Sequence, residues 1–298
     1  MTAAELFLQQ FINGLTIGSV YALIALGYTM VYGVIQLINF AHGEVFMVGA
    51  YLGLMVLLLL PPSPGGVLTA LLAAGTGCAL LGMLIERVAY RPLRRAPKLS
   101  VLITAIGVSF FLQNAMMLLW GAQDRYVPAC FSPGRLGGGA VSITPMQAVI
   151  FAVSLFLMIA LQLLIHRTPL GRAMRATAQD PLAARLVGIR VEGVVSSTFA
   201  IGSALAGVGG VLFGLHYSTI NFHDGYLVGL KAFTAAVLGG IGNIPGAMAG
   251  GLLLGLLEGL GAGYLSTQWK NVFAFAVLVL VLLFRPRGLL GERVAERA

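Results

Sequence analysis

The chain has 298 residues, of which 58% are hydrophobic and only 9% charged, and its mean hydropathy is +0.94; a water-soluble fold of this length would expose too much apolar surface. The formal charge of +8 does not point to nucleic acid, because fourteen of the eighteen Lys and Arg fall in three clusters that border apolar stretches, as a membrane topology signal does. No alternating lipid-facing strand pattern is seen, which argues against a transmembrane barrel.

The sequence therefore predicts an all-α polytopic membrane protein, a single transmembrane domain over 1–298. Its nine apolar segments lie at roughly 8–32, 44–60, 67–86, 100–120, 147–165, 195–216, 230–241, 246–263 and 268–284, against about 20 residues needed for one crossing. A count of eight to ten spans fits this pattern. The opening lacks a basic n-region and its first apolar stretch continues as a span, so no cleavable signal is expected.

The first span ends at Gln36-Leu37-Ile38-Asn39-Phe40-Ala41-His42-Gly43-Glu44, where helical continuity breaks. Pro61-Pro62-Ser63-Pro64-Gly65-Gly66 then marks a turn between the second and third spans. A first basic cluster, Arg87, Arg91, Arg94, Arg95 and Lys98, defines a loop over 86–98. A second, Arg167, Arg172, Arg175, Arg185 and Arg190, lies in a loop over 166–192, and a third, Arg285, Arg287, Arg293 and Arg297, in a tail over 285–298. The positive-inside rule places all three in the cytoplasm. Three spans precede the first cluster, so parity puts the N-terminus and the 121–145 loop outside and the C-terminus inside. Cys78 falls in a span and Cys130 in the outer loop, so no disulfide is expected.

Within the second basic loop Asp180 suits a helix cap, Pro181 its first position and Gly188 its stop. The spacing predicts a two-turn helix over 181–187 with Leu182 and Leu186 on one face. Lodged between two spans, such a knob transmits force only to a cytoplasmic partner; the plainer reading is a solvated basic loop.

The seventh segment, about twelve residues, is too short to cross as a straight helix and reads as a half-helix or re-entrant arm. It ends in a second break, Gly239-Gly240-Ile241-Gly242-Asn243-Ile244-Pro245-Gly246. The two breaks are paired here as corresponding parts of an inverted repeat, with the pathway where helix ends meet. In the eighth segment Gly251, Gly255, Gly259 and Gly263 recur every fourth residue and form a face for close helix packing.

Ionisable groups at membrane depth are functional candidates, since each costs about 3 kcal/mol at a helix centre. His42 and Glu44, helped by Asn39 and Gly43, either line the path or cap the second span; at the second break Gly242, Asn243, Pro245 and Gly246 are path candidates. Glu258 is expected to pair with a polar group on a neighbouring helix or, less simply, to touch substrate, whereas Asp224, Lys231, His216 and His223 read as interfacial. An ion-coupled carrier would use His42, Glu44 and Glu258 as a proton relay. An intramembrane enzyme is disfavoured because no His-Glu-x-x-His, no Gly-x-Ser-x-Gly and no paired carboxylates occur. Neither catalytic residues nor a metal site are predicted.

The segment from Gly171 to Ile189 resembles the cytoplasmic coupling loop of the permease subunits of branched-chain amino acid ABC importers, the LivH type. Four further stretches resemble that family in the same order: Tyr21 to Tyr28, Ile38 to Glu44, Val237 to Ala247 and Phe284 to Leu289. The chain departs from many importers at Gln179-Asp180, where they carry an acidic pair or a Glu. The resemblance implies ATPase coupling through Arg175, Ala176, Asp180, Pro181, Leu182, Arg185, Leu186 and Gly188. It also implies a second homologous permease subunit, two cytoplasmic ATPases and an external binding protein in a bacterial inner membrane. The implied cargo is leucine, isoleucine and valine, with urea or amides as the alternative in related importers. No Gly-x-x-x-x-Gly-Lys-Ser/Thr loop occurs, so ATP and Mg would be bound by the partner ATPases and no cofactor by this chain.

Overall fold

The computed structural model describes residues 2–94, 96–131, 134, 141–285 and 287–291. Arg95, Pro286, Arg293 and Arg297, part of the 121–145 loop and most of the tail lie outside the described residues. Among those described are eleven α-helices: α1 (Ala3–Ile35), α2 (His42–Leu59), α3 (Pro64–Ile85), α4 (Lys98–Trp120), α5 (Pro145–Arg167), α6 (Pro169–Gln179), α7 (Pro181–Leu186), α8 (Val191–Tyr217), α9 (Asp224–Gly239), α10 (Ile244–Tyr264) and α11 (Lys270–Phe284). Eight helices are long and apolar enough to cross a membrane. One two-stranded antiparallel ribbon pairs β1 (Arg125–Tyr126) with β2 (Thr219–Ile220).

Local signals set many of these ends. Thr2 with Glu5 and Thr144 with Gln147 form capping boxes on α1 and α5, and Ser63 and Asn243 cap α3 and α10 beside a proline. A π-helical turn, Glu86–Tyr90, prolongs α3, so the basic connection expected over 86–98 shortens to 91–97. The seventh segment is also longer than expected: α9 starts at Asp224 and runs 16 residues, about 24 Å at 1.5 Å per residue. That is still short of a hydrocarbon core of about 30 Å.

The core follows from α1, whose most apolar stretch is 94% buried, against 6% for the span ending in α11. Such a helix is hydrophobic all round because other helices surround it. The expected glycine face is the α1 to α10 contact: a methyl group at Gly259 would stand 2.7 Å from the Gly14 Cα, and one at Gly14 would stand 2.9 Å from the Gly255 carbonyl oxygen. Backbones this close gain packing that lipid cannot offer. On the other side α8 meets α2 and α3 in the same way, through Gly207 against Gly49, Ala74 and Cys78.

The structure corrects the pairing of the two breaks. The partner of Ile38-Asn39-Phe40-Ala41-His42-Gly43 is not the 239–246 segment but Ile220-Asn221-Phe222-His223-Asp224-Gly225, 182 positions on, with Ile, Asn, Phe and Gly shared. Two bonds of the turn recur in both. Asn39 Oδ1 accepts from the Ala41 N–H at 3.1 Å, and Asn221 Oδ1 from the His223 N–H at 3.0 Å. The His42 N–H reaches the Asn39 carbonyl at 3.1 Å, and the Asp224 N–H the Asn221 carbonyl at 3.1 Å. The helix before each turn ends in the left-handed region, at Gln36 (φ 54°) and Ser218 (φ 59°), the two non-glycine residues with positive φ among those described. Thus α1 and α2 correspond to α8 and α9. Gly27 faces Gly202 while Ile24 faces Gly209, so α1 and α8 run in opposite senses, and the repeat is inverted. The same cap geometry, Gly66 N–H to Ser63 Oγ at 3.1 Å and Gly246 N–H to Asn243 Oδ1 at 2.8 Å, pairs α3 with α10.

Candidate functional site: a helix junction, a buried ion pair and a basic end

The two repeats meet at glycine. Gly43, in the first turn of α2, packs on Gly225 and Gly229 of α9, and Gly225 in turn packs on Gly43 and the Glu44 carboxylate. His42 and Glu44 are 0% and 1% exposed. His42 fills the space beside Gly27 with its ring 4.7 Å from that of Tyr28, and Glu44 Oε1 accepts from the Ser109 hydroxyl at 3.3 Å. Neither caps α2 by its side chain; the local turn is closed by Asn39, whose Oδ1 also accepts from the Tyr90 hydroxyl at 2.9 Å. Asn39, His42, Gly43 and Glu44 are thus gathered at the junction of the halves.

Glu258 lies elsewhere. It is 3% exposed and pairs with Lys231 of α9, whose Nζ stands 3.0 Å from each carboxylate oxygen, and it accepts from the Tyr21 hydroxyl of α1 at 2.9 Å. The expected polar neighbour of Glu258 is therefore found. Lys231, read as interfacial, is instead 7% exposed, because a lysine inside a half-helix has a carboxylate waiting on the next helix. A fully satisfied pair of this kind is strongly destabilising to break from one side.

The described residues of all three basic clusters gather at one end. There α6, which the sequence reading left inside a loop, forms a helix capped by Thr168, whose Oγ1 accepts from the Gly171 N–H at 3.1 Å. It buries Gly171, Met174 and Thr177 on one face. Arg175, expected in coupling, donates from Nη1 to the Ile165 carbonyl and so closes the end of α5. Asp180 caps α7 through Oδ1, accepting from Leu182 N–H at 2.8 Å and Ala183 N–H at 3.1 Å. Gly188 stops it with φ +86°. Ala184 packs inward, while Leu182, Leu186 and Val187 are 71%, 89% and 76% exposed.

Two carboxylates tie this end together. Glu192, at the start of α8, pairs with Arg91 and lies 3.9 Å from Arg185 of α7. Glu86, fully buried, pairs with Arg94 and accepts from the Ser196 hydroxyl at 2.5 Å. The paired Glu192 holds the Arg91 guanidinium above its usual range; an exposed pair of this kind adds little stability. Sequence reasoning missed both acids. Glu86 carried a signal, as the first charge after a long neutral stretch.

At the same end a cavity of about 480 Å³ opens between α1, α5, α6 and the α9–α10 connection, and Gly242, Asn243 and Pro245 line it. Asn243 also donates from Nδ2 to the Leu290 carbonyl at 2.8 Å, while the Leu289 and Leu290 N–H groups reach the carbonyls of Leu238 and Gly239. Gly246 is buried against Gly239. The second break is thus a seat for the chain's last described residues. Both cysteines are free. Among the described residues no group of three or more metal-ligating side chains occurs.

Comparison with known proteins identifies the family. The family described as the permease component of branched-chain amino acid transport systems matches residues 10–282. The high-affinity branched-chain amino acid transport system permease protein LivH of Escherichia coli (strain K12) is 50% identical over 98% of this chain and 97% of its own length. BraD of Pseudomonas aeruginosa, of the same description, is 50% identical over 98% of each chain. A more distant relative, the probable permease LivH of Methanocaldococcus jannaschii, is 28% identical over 90% of this chain and 88% of its own. Among solved structures, a chain of PsaBC from Streptococcus pneumoniae in complex with Fab aligns over 95% of this chain and 92% of that one, at TM-score 0.46 and 12% identity. The multi-pass bundle described above, matched by that family over nearly its whole length, belongs to the permease components of branched-chain amino acid transport systems.

Proposed function

We propose that this chain is one of two permease subunits of an ATP-driven importer in a bacterial inner membrane, carrying leucine, isoleucine and valine delivered by an external binding protein. The basic end faces the cytoplasm, with the N-terminus and the β1–β2 ribbon outside. The observation that carries the reading is α7. Leu182 and Leu186 on a capped helix and Val187 at its end are exposed at the basic end, and clustered exposed apolar side chains of this kind are a mark of a docking surface. The partner docked there is a pair of ATPase subunits, which bind the ATP and Mg.

Movement of α7 is passed on through Arg185 and Glu192 to the start of α8, and through Glu86, Arg94 and Ser196 to the end of α3. Because α8 packs on α2 through glycines, it carries the junction of the repeats with it as a rigid body. The path for the cargo follows that junction, with Asn39, His42, Gly43 and Glu44 beside it. Glu258 anchors α9 and α10.

The test is leucine uptake into proteoliposomes that hold the chain with its partner permease, ATPases and binding protein. Uptake requires ATP, and Leu182→Asp or Arg185→Glu lowers it severalfold with insertion unchanged. Purified chain that moved leucine at full rate alone, or under a pH gradient without ATP, would overturn the reading.

A further inference from the structure

The last turn of α9 is finished by another part of the chain. A helix leaves its final carbonyls without partners of its own. Here the Gly240 N–H reaches the carbonyls of Ala236 at 3.0 Å and Val237 at 3.2 Å, whereas the next two, of Leu238 and Gly239, accept from the N–H groups of Leu289 at 2.8 Å and Leu290 at 3.0 Å. Asn243, whose Oδ1 caps α10 by accepting from the Gly246 N–H, donates its Nδ2 to the Leu290 carbonyl at 2.8 Å. Residues 287–291 thus lie across the α9–α10 connection as a strap. Gly240 (φ +106°) and Gly288 (φ +74°) let the two backbones meet, since a Cβ at Gly288 would stand 2.6 Å from the Val237 carbonyl oxygen.

The repeat does not demand this contact. At the corresponding end of α2 the Leu60 N–H returns to the Val56 carbonyl at 3.0 Å, and among the described residues no backbone bond from elsewhere in the chain reaches that turn. In the orientation proposed above the end of α2 lies outside and the end of α9 inside, so the strap belongs to the cytosolic side alone.

The way it is held makes it releasable. Leu289 and Leu290 are 43% and 51% exposed, so the strap buries little apolar surface and is fastened by polar groups. Leu238 is 7% exposed and Gly239 is buried, and buried carbonyls keep a donor. That donor is the strap while the end of α9 is dry, and water once it is wet. The connection that the strap crosses also lines the cavity of about 480 Å³, through Gly242, Asn243, Ile244 and Pro245, so a cavity that widens toward the cytosol brings water to the same carbonyls. We propose that residues 287–291 are a cytosolic strap that holds the inner ends of α9 and α10 together and leaves its seat in each transport cycle, when the ATPases drive the inner side open. This inference rests on the importer function proposed above.

The experiment uses the complete importer in proteoliposomes, with Cys78 and Cys130 replaced by serine and with Asn243→Cys and Leu290→Cys introduced together. Before cross-linking, ATP-dependent leucine uptake by this chain tests the importer reading alone and serves as the reference. Joining the two thiols with a short bifunctional thiosulfonate is expected to lower uptake by roughly tenfold, because a gating step is blocked; reductant is expected to restore it, and the reagent to leave either single-cysteine chain unaffected. Undiminished uptake by the cross-linked chain overturns the release of the strap and leaves the importer reading standing. A second measurement needs no substitution. Hydrogen exchange at the Leu289 and Leu290 amides of the native complex is expected to be about tenfold faster during turnover, with ATP, binding protein and leucine present, than without ATP. Equal exchange in the two conditions overturns the proposal, whatever the cysteine chain does.

Discussion

The two halves of the bundle share one plan and are fastened by different chemistry. In the second half α9 is held by a buried ion pair, Lys231 to Glu258, with the Tyr21 hydroxyl completing it. Carried along the repeat, Lys231 becomes Gly49 and Glu258 becomes Cys78 in the first half, and Tyr21 becomes Ser203 of α8 in the second. At these positions α2, α3 and α8 close by contacts at glycine: Gly49 against the Gly207 backbone, Gly207 against the Cys78 side chain, and Gly82 against the Ser203 side chain, with the Cys78 thiol donating to the Val45 carbonyl at 3.4 Å. Glycine packing suits helices that stay in van der Waals register. A satisfied ion pair instead fixes one geometry at the cost of desolvating two charges. The difference teaches that α9, of 16 residues, is fastened by an ion pair at a position where its counterpart α2, of 18, is fastened by glycine packing.

The largest expected effect tests that clamp. Glu258→Ala leaves Lys231 charged and unpaired and is expected to destabilise the protein by about 3–5 kcal/mol, whereas Lys231→Met with Glu258→Met recovers most of the loss. Unfolding in detergent reads both. A double variant no more stable than the single one would mean that the pair is not the fastening. Cys78→Ala, at the equivalent position, is expected to cost about 1 kcal/mol.

Steric substitutions come next and sharpen the symmetry. Gly207→Val and Gly255→Val force side chains into backbone contacts of equivalent helix pairs, α3 with α8 and α10 with α1. Each is expected to cost about 1–3 kcal/mol or more. A large cost at one and none at the other would break the correspondence of the halves.

The paired turns should differ in a smaller way. Asn221→Ala removes the local turn bond, worth about 1 kcal/mol, and an exposed bond from its Nδ2 to Asp124 Oδ1 at 2.6 Å. Asn39→Ala removes the same turn bond and also strands the Tyr90 hydroxyl, 2% exposed, adding a penalty of about 1–3 kcal/mol. Hydrogen exchange at the start of α2 and α9 measures both.

How much of this was legible depended on distance along the chain. The spans were readable because hydropathy is a local property, and α7 because Asp180, Pro181 and Gly188 are neighbours whose cap, first turn and stop need no tertiary partner. By contrast α6 was lost, since Thr168 and Pro169 follow Arg167 without a gap and the basic residues looked like one solvated loop. The repeat was paired with the wrong break because glycines at 239–246 outshone a shared Ile-Asn-Phe. Its meaning lies in an Asn turn and a left-handed helix end that composition does not display. Lys231 was misplaced because its partner sits one helix away. Of the candidate site, the helix α7 was legible, whereas the cavity, which draws on four separate elements, was not.

The smallest expected effect on stability belongs to the knob itself. Leu186→Asp, at 89% exposure, is expected to change unfolding by no more than about 0.5 kcal/mol and yet to lower ATP-dependent uptake severalfold. The most direct measurement places that side chain. In a chain with Cys78 and Cys130 replaced by serine, Leu186→Cys is expected to react with a membrane-impermeant maleimide only from the cytoplasmic side, and to be shielded when the ATPase subunits are bound. Labelling from outside the cell, or labelling indifferent to those subunits, would contradict the account.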